Sequence, residues 1–212
     1  MAHALAFGHR MMGTKLKCCT AILASIALLL LPALAAASPS EGDLVDAAVD
    51  RTKHTVRYDG AYRSIPYPNG DVPADVGVCT DVLIRSYRTI GIDLQRLVHE
   101  DMRAAFDEYP RDWGLSRPDT NIDHRRVPNL RRFFERHGAS LPVSDNPKDY
   151  RPGDIVSWML PNNRPHIGIV SNAMSEDGKR PLVVHNIGLG PKQDDMLFAF
   201  KITGHYRYLG PE

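Results

Sequence analysis

Apolar residues recur every three or four positions through residues 44–137. Beyond residue 150 they gather into short β-branched runs, so the period changes once along the chain. Leu44 to Lys53 is predicted to be a helix, with Leu44, Val45, Ala48 and Val49 on one face and Asp43 and Asp46 at its start. Thr55 to Ile65 reads as a weak strand or loop. Pro66, Pro68, Asn69, Gly70, Pro73 and Gly77 then exclude any regular element before Cys79. From Cys79 the residues Val82, Leu83, Ser86, Tyr87 and Ile90 fall at helical spacing, and Gly91 closes the run. Further helices are predicted over Leu94 to Phe106 and over Arg126 to His137, the latter with Pro128 in its first turn and Gly138 after its end; residues 107–124 read as a loop. Asp154 to Leu160, Ile167 to Val170, Leu182 to Val184 and Leu197 to Ile202 are four predicted strands, with hairpin loops at 162–165 and 176–179. Helices first and an antiparallel sheet afterwards give an α+β class.

The first 37 residues carry Arg10, Lys15 and Lys17 but no acid. An uncharged run from Cys18 to Ser40 follows, containing Ala35-Ala36-Ala37. This is the layout of a secretory signal peptide cleaved near residue 37, and it predicts an exported, periplasmic protein; an uncleaved signal anchor is the alternative. The remaining 175 residues are enough for one domain and hold 23 basic against 25 acidic residues, a charge of −2. That balance gives no reason to expect nucleic acid or, after cleavage, a membrane surface as partner. It also leaves Cys79 as the one cysteine.

An unpaired cysteine in an exported chain is a crosslink, an inert buried thiol or a reactive one. A helix N-terminus favours the third reading, because its unpaired amides and dipole stabilise a thiolate and are expected to lower the thiol pKa from about 8.5. A thiol nucleophile needs a base and a group that orients the base. Candidate bases are His54, His99, His124, His137, His166, His185 and His205. His166 opens the second predicted strand and His185 ends the third, so antiparallel neighbours would place both at one edge of the sheet, where a helix start can bring Cys79. His99 reads as a helix-surface residue, His137 as a helix cap and His205 as structural.

Taken in order, Cys79, Arg151-Pro-Gly-Asp154-Ile-Val-Ser-Trp158, His166-Ile-Gly-Ile-Val170 and Val183-Val-His185 resemble the NlpC-type, papain-like cell-wall cysteine peptidases. The stretches around Cys79, Asn121–Leu130, His166–Ser171 and Val183–Gly188 are similar to those of a bacterial family catalogued as DUF 1287, over roughly residues 44–210. The resemblance implies a papain-like fold in one domain, 38–212, with a helical insertion at about 92–150. It also implies Cys79 as nucleophile, His166 as base and His185 as orienting group. Asn186 competes for the third role, but strand alternation keeps His185 and Asn186 from both facing His166. The backbone N–H of Cys79 is the natural oxyanion donor. Val78 and Thr80-Asp81 depart from the superfamily pattern around the nucleophile.

The polar run Asp119 to Arg126 has two readings: a capped, solvated loop, or a substrate wall in which Asp81, His124, Arg125 and Arg126 contribute and an arginine pairs with a peptide carboxylate. Asp123-His124 with Glu100-Asp101 is poorly spaced for a metal, and thiol chemistry calls for no cofactor. The expected function is a cysteine hydrolase cleaving an amide bond through a thioester; the resemblance and the compartment imply peptidoglycan stem peptides as substrate. The alternative is a catalytically silent cell-wall or protein binding module on the same fold.

Overall fold

The computed structural model describes residues 38–211. The signal-peptide reading falls on residues 1–37 and lies outside them. No helix among the described residues is long and apolar enough to cross a membrane.

Helix α1 spans Glu41–Arg51 and begins three residues before the apolar stripe, because Ser40 and Asp43 form a reciprocal cap. Of the weak strand expected over 55–65, only Arg57–Tyr58 (β1) pairs, in parallel with Val76–Gly77 (β2). Helix α2 spans Cys79–Thr89 and starts at the predicted residue. Its N-cap residue, Val78, has no side-chain oxygen to offer, so Asp81 at the third helical position accepts from the Val78 amide at 2.7 Å. Helix α3, Leu94–Ala104, is capped by Asp93. It stops two residues short of expectation because Phe106–Glu108 tightens into a 3₁₀ turn. Helix α4 covers Val127–Arg136, and Gly138 after it takes a positive φ of 66°.

The sheet runs β6-β5-β4-β3-β7, antiparallel throughout. Its strands are β3 (Ile155–Leu160), β4 (Arg164–Met174), β5 (Pro181–His185), β6 (Lys192–Asp194) and β7 (Lys201–Tyr206). Two sequence expectations fail here. The apolar run Leu197–Phe200 is not a strand, and β7 begins only at Lys201. Both faces of the sheet are buried, so the far face needs a cover: Met196 and Leu197 supply it over Val156, Trp158, Val170 and Val183, and the Leu197 carbonyl accepts from the Trp158 indole at 2.9 Å. β6 was not foreseen, because its residues Lys-Gln-Asp carry no apolar alternation.

The near face, with Ile155, Ile167, Ile169 and Val184, packs under Leu44, Leu83 and Tyr87. Val98, Leu130 and Phe134 belong to the same core. The stretch 92–150 thus contributes to the core.

A buried ion pair fastens that region to α2. The Arg125 guanidinium holds Asp81 in two bonds of 2.9 and 2.8 Å, with both side chains 3% exposed or less. Thr80 Oγ1 donates to the Arg125 carbonyl at 3.1 Å. Removing one partner strands the other charge in the core, so Asp81→Ala is expected to cost about 3–5 kcal/mol. Pairing Asp81→Leu with Arg125→Met is expected to recover most of that loss. Urea unfolding of both variants measures it; equal loss in each would refute the coupling.

Candidate active site

Cys79 begins α2, is 5% exposed and forms no disulfide. The backbone amides of Ile167, Thr80 and Cys79 itself favour its thiolate. Burial nevertheless dominates, and with the nearby Asp81 charge it pushes the thiol up to about 12. The expected lowering does not occur: the amides are present, but they replace less hydration than burial removes.

His166 lies on β4 opposite Trp158, directly before Ile167. No hydrogen bond among the described residues joins Cys79 to His166. His166 Nε2 lies 3.0 Å from His185 Nδ1, with the two rings at 89°. His185 Nε2 lies 3.1 Å from Asp194 Oδ2, which also pairs with Lys192 at 2.6 Å. Burial, and then the His185 charge, push His166 down to about 3; burial also lowers His185, against the pull of Asp194.

This chain of contacts fixes the tautomers. A carboxylate can only accept, so His185 Nε2 carries the proton. His185 Nδ1 is then an acceptor, and His166 Nε2 must donate to it. The lone pair of His166 is left on Nδ1, the nitrogen a base would use. Gly168 makes the arrangement possible, since a Cβ there would meet Val183 at 2.8 Å and the His185 Cβ at 3.1 Å.

Asn186 is turned away from His166, as alternation requires. It is fully buried, and its Oδ1 accepts from the Gly188 amide at 3.0 Å. The Tyr58 hydroxyl was not anticipated. Burial, with Cys79 and Asp81 nearby, raises it to about 12, while Arg164 works the other way. Asp194 was missed too; it lies on the unforeseen β6, and a hairpin reading of residues 185–194 was the one signal that could have found it.

The polar run does not assemble as a substrate wall. Arg125 and Asp81 neutralise one another, His124 is 2% exposed and pushed by burial to about 3, and Arg126 lies 4.1 Å over the Trp113 ring and 3.4 Å from Asp123. Glu100 pairs with Arg96, and Asp101 with Arg136 and Tyr109. Among the described residues no three metal-ligating side chains converge. His99 packs edge-on against Tyr67, His137 bonds the Phe133 carbonyl at the end of α4, His54 pairs with Asp50, and His205 is held by Asp154 and the Pro142 carbonyl.

These features define an α+β protein with a buried cysteine at a helix start and a histidine–histidine–aspartate chain across β4, β5 and β6. The protein belongs to the family described as "Domain of unknown function (DUF1287)", whose profile matches residues 45–208. It is 54% identical over 165 residues to the Escherichia coli (strain K12) protein called "Uncharacterized protein YijF", a match covering 78% of this chain and 80% of that one.

Asp194→Asn tests the tautomer argument. An amide turned to donate to His185 Nε2 reverses both rings and leaves His166 Nδ1 protonated. ¹⁵N imidazole shifts are expected to exchange their Nδ1 and Nε2 assignments in the variant; unchanged assignments would refute it. A second expectation concerns acid. His166 and His124 are lowered from 6.5 to about 3, so the folded state binds fewer protons than the unfolded one in that window. Their stabilisation is complete above 6.5 and is lost as pH falls towards 3. The urea midpoint is expected to drop between pH 7 and 4, and His124→Gln to flatten that drop; an unaltered slope in the variant would count against it.

Proposed function

We propose that the protein is an exported cysteine hydrolase of papain-like, NlpC-type fold that cleaves an amide bond in peptidoglycan stem peptides through a thioester. The observation that carries this reading is the oriented chain Asp194–His185–His166, which leaves the His166 Nδ1 lone pair free and ends directly before Ile167, a residue that shares the core with Cys79. The thiol starts neutral and so does the imidazole, so the chemistry follows general-base catalysis rather than a preformed ion pair.

As sulfur attacks the carbonyl carbon, the thiol proton passes to His166 Nδ1, and the positive charge that develops is spread towards Asp194. The tetrahedral oxyanion takes the Cys79 amide as donor. Collapse breaks the C–N bond, and the imidazolium proton leaves with the amine. Water then adds to the thioester, giving its proton to His166; the carboxylic acid departs and Cys79 regains a proton. The net reaction is the amide plus water giving an amine and an acid.

A binding module on the same fold is the second reading. It is favoured by the burial of the thiol and its raised pKa.

Purified sacculi separate the two. Wild-type protein is expected to release stem fragments with matching new amine and carboxyl ends, detected by mass spectrometry. Cys79→Ala is expected to abolish release, and His166→Ala to slow it by about 10²–10⁴-fold. Sedimentation of the protein with sacculi, with no fragments from wild type, would leave the binding module. Release unchanged in Cys79→Ala would end the thiol mechanism.

A further inference from the structure

Beneath the turn from β5 to β6 lies a cavity of about 150 Å³, walled by the end of α1, the loop before α2 and the first turns of α2. Two observations point to a ligand in it. Asn186 lines the cavity and is fully buried, yet its Nδ2 donates to nothing in the protein. A buried amide N–H without an acceptor is costly, so an acceptor belongs there.

The second observation is the charge balance of the wall. Asp71 is already met by Arg85 and Arg88, and Asp81 by Arg125. Arg51, which also lines the cavity, has only a loose contact with Asp50 at 3.7 Å. The charge left to be satisfied is therefore positive, beside an amide that needs an acceptor. The rest of the wall includes Val56, Ala74, Val82 and Pro191. A bare inorganic anion would leave these apolar groups without contact, whereas a short aliphatic acid satisfies both halves. The planar guanidinium fork matches a carboxylate. A cavity of ~150 Å³ is large enough for a molecule the size of benzene.

We propose that this cavity binds a small aliphatic carboxylate, held by the Arg51 guanidinium and the Asn186 amide. Cys79 does not line the cavity, so the proposal stands apart from the hydrolase reading.

Propionate is the probe, titrated into the full-length protein by calorimetry and thermal unfolding at constant ionic strength, with chloride and propionamide as controls. Saturable binding of propionate is expected, with chloride and propionamide at least about tenfold weaker, the difference a charge-assisted contact makes. Arg51→Met and Asn186→Asp are each expected to weaken propionate by about tenfold or more; Asn186→Asp keeps the side-chain shape while replacing the donor with a like charge. Cys79→Ala is expected to bind propionate as wild type does, so loss of hydrolysis leaves this result untouched. No saturable response, equal response to chloride or propionamide, or full affinity in both variants would overturn the proposal.

Discussion

The pairing of Arg125 with Asp81 decides where α2 begins, and the rest of the candidate site is referenced to that point. A helix start normally finds a side-chain oxygen at its N-cap; here the cap is Val78, and Asp81 must serve the Val78 amide from inside the first turn. A carboxylate so deeply buried is tolerable only with a cation against it, and Arg125 supplies one through two bonds. The 3₁₀ turn Asp123–Arg125 and the Thr80 contact lock the same junction from the other side. Cys79 is thereby held in the core that it shares with Ile167 of β4.

The electrostatics around that sulfur follow from burial more than from the helix dipole. Backbone amides favour its thiolate, yet removal from water keeps the proton on sulfur and off His166. Direction is instead supplied by the hydrogen-bond chain through His185, which is anchored at the part-exposed Asp194 and Lys192. Gly168 leaves the space through which the second ring approaches the first. The two histidines share the sheet face of Trp158, while Ile167, between His166 and Gly168, faces the helices.

Much of this was legible in the residues. α1, α3 and α4 followed their apolar stripes, and Cys79 opened its helix because the turn formers before it left nowhere else to start. His166 and His185 came together as the strand ends required. What escaped had no local signature. Arg125 and Asp81 are 44 residues apart, and a charged run before a helix reads equally well as solvated. Asp194 belongs to a strand of three polar residues. Leu197 to Phe200 has strand composition, but the apolar far face of the sheet claimed it as cover. The thiol pKa depended on a depth of burial that no spacing reveals.

The Asp81–Arg125 contact also ties together parts of the chain that are distant in sequence. Closing a loop of that length costs conformational entropy that the two bonds and the Thr80 contact offset. The Arg125 guanidinium is the cation bonded to Asp81, so the cap at Val78 depends on the 3₁₀ turn Asp123–Arg125. The environment that sets this thiol apart is thus built by a contact between residues 44 positions apart in the sequence.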